Sequence, residues 1–308
     1  MIMKSDPTAE HPAPLPPSGR PGTPAALRLM RPRQWVKNTL VFTAPFAAGV
    51  TTTGAIFRTA AAFGAFCLVA SGTYALNDAV DVESDRAHPT KHRRPVAANE
   101  MKVSTAVAIG VVLLAAGLAI AALVSTALLI VVASYVGLTV SYSLWLKRIP
   151  VVDLAAVAAG FILRSVAGGA AAPVPISDWF LIVAGFGSLF IVASKRHAEH
   201  AELGVDAKSI RSTLGEYSDG FLRLVRAVSA GVCLTGYCLW AFEQARRGGG
   251  DLWYQLSIIP FVIGILYYAL RVEQGAGASP EDILLGDRTL QAIGLAWLVV
   301  FGIGVHVG

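Results

Sequence analysis

Residues 60–85 read Ala60-Ala61-Ala62-Phe63-Gly64-Ala65-Phe66-Cys67-Leu68-Val69-Ala70-Ser71-Gly72-Thr73-Tyr74-Ala75-Leu76-Asn77-Asp78-Ala79-Val80-Asp81-Val82-Glu83-Ser84-Asp85. The first part is an unbroken run of apolar and small side chains without alternation, the pattern of a membrane-spanning helix. Four acidic side chains and Asn77 then crowd its end. Carboxylates beside hydrocarbon are costly and mark places where ions or substrates are handled. If the helix continues to Asp85, then Asn77, Asp81 and Asp85 share one face at four-residue steps, with Asp78 beside the top of that column. Hard oxygen ligands on a rigid stripe suit a Mg²⁺ completed by water and substrate phosphates. A merely solvated helix end accounts for Glu83 but not for that spacing. Behind the column comes His88-Pro89-Thr90-Lys91-His92-Arg93-Arg94-Pro95. Two prolines stiffen this basic segment, and Lys91 and Arg94 are its candidates for phosphate contacts.

The rest of the chain agrees with a membrane setting. It has 308 residues, 55% hydrophobic and 15% charged, with a mean hydropathy of +0.59, where soluble domains carry about a quarter charged residues. This predicts an all-α, polytopic membrane protein. The net charge of +5 is that of a chain holding its topology against anionic lipid, and no nucleic-acid partner is implied. Cys67, Cys233 and Cys238 lie inside apolar segments and have no metal-ligand spacing. Residues 1–26, with seven prolines in the first 24 positions, read as a disordered tail. They contain no apolar signal-peptide core. Residues 27–308 then read as one transmembrane domain.

Nine apolar segments fall at roughly 34–55, 59–77, 103–124, 126–146, 151–172, 178–194, 224–243, 252–271 and 289–307. Of the 25 Lys and Arg residues, all but Arg58, Arg164, Arg246 and Arg247 fall on one side of such a bundle. The positive-inside rule makes that side cytoplasmic, together with the N-terminus, the acidic column and both long polar loops, 78–102 and 195–223. The expected location is the plasma membrane.

Other polar clusters sit at the same side. Ser194-Lys195-Arg196-His197-Ala198-Glu199 closes the sixth segment. It forms a second charged pole, with Lys195, Arg196 and Glu199 as phosphate-site candidates, suggesting a pseudo-repeat around one cavity. Tyr142, Lys147, Arg148 and Asp153 flank the short loop between segments four and five. A topology anchor explains them about as well as a binding role. In Arg31-Pro32-Arg33-Gln34-Trp35-Val36-Lys37-Asn38, Trp35 reads as an interfacial anchor. Arg33, Lys37 and Asn38 are placed to line the cavity mouth. Arg164, deep in the fifth segment, should face a polar cavity or an acidic partner. Glu281, Asp282, Asp287 and Arg288 read as a polar patch flanking the last helix.

Asn77-Asp78-x-x-Asp81-x-x-x-Asp85 on the second of nine spans resembles the first aspartate motif of the UbiA superfamily of intramembrane prenyltransferases. The resemblance extends over residues 30–307 and implies a nine-helix bundle with cytoplasmic caps over the loops following helices two and six. Typical members carry a second aspartate-rich motif in the latter loop. Here Lys195-Arg196-His197-Ala198-Glu199 stands in its place. With Arg31 to Asn38, His88 to Pro95 and Pro280-Glu281-Asp282, the pattern is similar to a branch that moves 5-phosphoribose. The donor there is phosphoribosyl diphosphate and the acceptor a polyprenyl phosphate, on the way to an arabinose donor for the cell wall. The resemblance implies Mg²⁺ as cofactor. It assigns catalytic roles to Asp78, Asp81 and Asp85 and metal contacts to Asn77, Asp81 and Asp85. Lys37, Lys91, Arg94, Tyr142, Lys147, Lys195, Arg196 and Glu199 would bind substrate phosphates. Arg33, Asn38, Asp153 and Arg164 are further candidates, and a homo-oligomer is admitted without being specified. Two rivals stay open: prenyl transfer to an aromatic acceptor, and lipid transport.

Overall fold

The computed structural model describes residues 23–87, 90–203, 213–247, 251–275 and 280–307. Most of the proposed tail therefore lies outside the described residues, as do His88, Pro89, Asp206, Lys208 and Arg211. Among the described residues the chain is all helical. The elements are α1 (Ala25–Met30), a 3₁₀ segment (Pro32–Phe42), α2 (Thr43–Ala47), α3 (Thr53–Val80), α4 (Val82–Ala87), α5 (Val103–Val124) and α6 (Thr126–Leu144). There follow α7 (Val152–Ala171), α8 (Asp178–Leu203), α9 (Asp219–Arg247), α10 (Asp251–Glu273), α11 (Pro280–Gly286) and α12 (Arg288–Val307). α1 starts at Ala25, two residues before the expected start of the transmembrane domain.

Among the described residues, eight helices are long and apolar enough to cross a membrane. In hydrocarbon a backbone must satisfy its own polar groups, and helices do so within one segment. The first apolar segment departs from the expected continuous helix. Thr39 Oγ1 donates to the Val36 carbonyl (2.6 Å) and Thr43 Oγ1 to the Leu40 carbonyl (2.6 Å), bonds that compete with regular helix hydrogen bonding. Pro45 can sit only in the first turn of α2, and Gly49 turns the chain at φ +64. A 3₁₀ helix rises about 2.0 Å per residue and an α-helix about 1.5 Å, so Pro32–Ala47 still covers roughly 30 Å, a hydrocarbon thickness. The ninth crossing is thus made by tighter winding.

Of four packed clusters among the described residues, the two largest lie as follows. Phe66, Val69, Leu128, Val132, Tyr135 and Ala167 join α3, α6 and α7 with Val41 of the 3₁₀ segment. Phe190, Tyr268, Val272, Ile283 and Leu290 join α8, α10, α11 and α12. Without a hydrophobic drive between helices in lipid, close backbone approach holds them together. A Cβ on Gly168 would stand 1.9 Å from the Val41 carbonyl oxygen, and one on Gly72 would stand 2.8 Å from the Gly110 carbonyl oxygen. The ends of α3, α6 and α8, the start of α7, and α11 all gather at one end of the bundle, where the polar residues lie.

Candidate active site

The acidic motif bends. α3 stops at Val80, and Asp81 takes φ −89, ψ 11 before α4 begins. Helical bonding nevertheless bridges the bend: Asp81 N–H donates to the Asn77 carbonyl (2.9 Å) and Asp85 N–H to the Asp81 carbonyl (2.8 Å). The expected straight column is therefore two helical pieces. Asp78 and Asp85 turn inward and are buried, while Asn77 and Asp81 stay partly open. Asp78 is central rather than peripheral. Its Oδ1 accepts from Arg31 and, at 3.1 Å, from Arg94, which also reaches Asp85 Oδ2 at 2.6 Å. Arg94, expected to meet a phosphate, is thus a clamp across two carboxylates. Asp78 Oδ2 is buried and, among the described residues, accepts no hydrogen bond. Among the described residues, the Asp81 carboxylate has one charged partner, Lys147, at 3.8 Å.

Arg31 sits in a left-handed backbone conformation (φ 52, ψ 61) between α1 and the 3₁₀ segment. Its guanidinium lies over the Tyr74 ring at 4.8 Å. Burial draws its pKa below the ordinary value even though Asp78 works to raise it. A cavity of about 350 Å³ opens here, lined by Arg28, Arg31, Lys91, Arg93, Arg94 and Asp78. Lys91 thus faces a cation-walled space suited to a phosphorylated ligand.

The second pole is built differently. Arg196 is buried, with Nε donating to Asp153 Oδ2 (3.3 Å), Nη1 to Glu199 (2.6 Å) and Nη2 to the Tyr142 hydroxyl (3.3 Å). Arg196, Glu199, Asp153 and Tyr142 therefore form a hydrogen-bonded wall. Lys195 remains at the surface of that wall, 3.7 Å from Glu199, and lies within electrostatic reach of Lys37. Lys147 Nζ stands 3.8 Å from Asp81.

The sequence profile of the UbiA prenyltransferase family matches residues 39–301. The chain belongs to that family. It is 41% identical to the decaprenyl-phosphate phosphoribosyltransferase of Corynebacterium glutamicum, covering 91% of this chain and 86% of that protein. It is 42% identical to the decaprenyl-phosphate phosphoribosyltransferase of Mycobacterium tuberculosis H37Rv, over 92% of this chain and 94% of that protein. Among solved structures, a UbiA homolog from Archaeoglobus fulgidus bound to DMAPP and Mg²⁺ superposes with a TM-score of 0.72, covering 92% of this chain at 17% identity. This UbiA family member is a multi-pass membrane protein.

Several UbiA-chain residues take unexpected places. Glu281, read as part of a flanking patch, is buried and belongs to the site. Its Oε1 accepts from Gln34 Nε2 (2.6 Å), and Lys37 Nζ stands 3.2 Å from Oε2. Burial opposes its charged form, but Lys37 and Gln34 outweigh this, and its pKa lies below the usual 4.5. A depressed carboxylate stabilises the fold above its ordinary pKa and loses that contribution as pH falls through the depressed value. The hold on α11 is therefore expected to persist at neutral pH and to fail below pH 4.5, read as faster amide exchange in residues 280–286. Arg33 is 77% exposed and pairs with Asp282 at 2.7 Å, outside the cavity mouth. The Trp35 indole N–H donates to Ser71 Oγ at 3.0 Å, tying the 3₁₀ segment to α3.

Of the two surroundings expected for Arg164, a polar one is found: among the described residues it meets neutral polar groups and no carboxylate. Nε donates to Asn38 Oδ1, Nη2 to the Tyr135 hydroxyl and Nη1 to the Gly160 carbonyl, each at 2.8 Å. Its guanidinium also stacks on Tyr135, 4.6 Å from the ring centre. A planar fork with a ring face is something lysine lacks. Arg164→Lys is expected to destabilise the protein by about 2 kcal/mol, measured by thermal unfolding in detergent.

Among the described residues, no three His, Cys, Asp or Glu side chains stand ready as a metal cage. The residues still fit a divalent cation of the Mg²⁺ type. Asp78 Oδ2 is an orphan acceptor among the described residues, and Asp81 and Asp85 lie within electrostatic reach of it. Such an ion needs only one or two carboxylates, with water and phosphate oxygens completing its shell.

Proposed function

We propose that the protein transfers 5-phosphoribose from phosphoribosyl diphosphate to decaprenyl phosphate or a similar polyprenyl phosphate, releasing diphosphate. The observation that carries this reading is the asymmetry of the two poles. Asp78, Asp81 and Asp85 stand on one side, and opposite them Lys195 and Lys147 stand against the Arg196 wall. Two phosphorylated substrates suit that arrangement, and a polyprenyl phosphate supplies one of them. The identity to the two phosphoribosyltransferases above supports the same reading.

Asn77, Asp78, Asp81 and Asp85 would hold Mg²⁺, which when bound offsets charge on the departing diphosphate. Arg31 and Lys91 hold donor phosphate in the cation-lined cavity. Lys147, beside Asp81, meets the departing diphosphate, and Lys195 and Lys37 orient the lipid phosphate. An oxygen of that phosphate attacks ribose C1 from the face opposite the diphosphate, the C1–O bond to diphosphate breaks, and the anomeric centre inverts. The nucleophile is already an anion, so no side chain has to remove a proton. Catalysis then rests on positioning and fixed charge. The site faces the cytoplasm from the plasma membrane, with the N-terminus on the same side.

The test is to incubate the purified protein with labelled phosphoribosyl diphosphate, Mg²⁺ and decaprenyl phosphate. Label is expected in the lipid phase. No label there, with turnover of a prenyl diphosphate and an aromatic acid, would sink the proposal in favour of the family's prenyl transfer.

A further inference from the structure

The turn between α6 and α7 cannot hold its shape unaided. Lys147 lies on the 3₁₀ turn Leu146–Arg148, and four residues later Val151 adopts φ 66. A β-branched residue in the left-handed region is strained and persists only where its surroundings impose it. The surroundings come from the segment before α9. Thr213 Oγ1 donates to the Lys147 carbonyl at 3.3 Å, and the Val151 N–H donates to the Tyr217 hydroxyl at 2.7 Å. The two bonds bracket the turn. Tyr217 in turn donates to Asp153, the fully buried carboxylate that also accepts from Arg196. Burial and the Asp153 carboxylate push the Tyr217 phenol upward, so it remains an O–H donor at neutral pH.

We infer that Tyr217 is a positioning residue for the donor's diphosphate, acting by locking the Pro150-Val151 turn so that Lys147 is presented beside Asp81. This rests on the phosphoribosyl-transfer reading for the identity of the donor, but the locking itself concerns any diphosphate bound at the acidic motif. Tyr217 touches no reacting atom. Its hydroxyl serves the loop on one side and the Arg196 wall on the other, so one residue sets both cationic walls of the site.

A double-mutant cycle tests it, using the full-length protein in detergent, inorganic diphosphate with Mg²⁺ as the probe, and calorimetry as the readout. Lys147→Met in the wild-type background should weaken diphosphate binding about tenfold. In the Tyr217→Phe background, already weakened to a similar degree, the same change should add less than about twofold. Val151→Gly, which accepts φ 66 without strain, should restore binding to Tyr217→Phe. If Lys147→Met costs the same factor in both backgrounds, Tyr217 does not act through Lys147 and the inference is overturned while the reaction assignment stands. If wild-type protein binds no diphosphate, both fall. Should Tyr217→Phe fail to fold, Thr213→Val removes the other bracket bond and carries the same cycle.

Discussion

Replacing Asp81 with Asn is expected to cut Mg²⁺-dependent turnover by about 100- to 1,000-fold while leaving thermal unfolding in detergent unchanged. Asp81 sits at the bend between α3 and α4, partly open, and among the described residues its charged partner is a distant ammonium. Little in the fold depends on its charge, so the loss should appear in turnover alone. Asp78→Asn is the contrasting case. That carboxylate is 1% exposed and accepts from two arginines, and neutralising it leaves both with a buried charge less compensated. It should cost about 3 kcal/mol of stability in addition to activity. Turnover and melting measured together on both variants separate the two roles. Equal melting losses would remove the distinction drawn between the open and the buried carboxylate. Since detergent abolishes transport, a surviving Mg²⁺-dependent turnover also excludes the transporter reading.

Gly168→Ala should prevent accumulation of folded protein. The added Cβ would lie 1.9 Å from the Val41 carbonyl oxygen and 2.9 Å from Pro45 Cδ. The first is backbone and the second a proline ring, so neither can swing aside. The 3₁₀ segment would have to leave α7, taking with it the Asn38–Arg164 bond at 2.8 Å. Overpacking commonly costs about 1–3 kcal/mol, and an obstacle made of backbone places this case above that range. Gly64→Ala is the control, since nothing stands within 4 Å of a Cβ there. Yield and melting temperature after detergent extraction decide the matter. Near-normal folding of Gly168→Ala would show that the first crossing does not depend on this contact.

Membrane crossings, the acidic motif and the side on which charges collect were legible residue by residue. Each depends on local facts: a run's length, a four-residue step, a count of Lys and Arg. The pairing of charges was not legible. Arg94 could be recognised as a cation, but not that Asp78 and Asp85 would claim it. Glu281 looked like surface until Gln34, 247 positions away, proved to donate to it. Tyr217 carried no signal at all, because its meaning lies in a strained backbone angle at Val151. The continuous first helix was misread because hydroxyl-to-carbonyl bonds and tight winding leave the apolar composition unchanged.

The amino-acid sequence by itself thus determined that this is a helical membrane protein with an acidic, oxygen-rich motif at the end of its second crossing. That follows from transfer free energies, which are properties of segments. Tertiary structure alone decided which cations are clamps and which are available. Arg94 and Arg196 are committed to buried carboxylates, whereas Lys147 and Lys195 stand at the edge of the site. Such choices depend on partners brought from distant crossings and on how fully each pair is buried, which no local pattern of charges specifies.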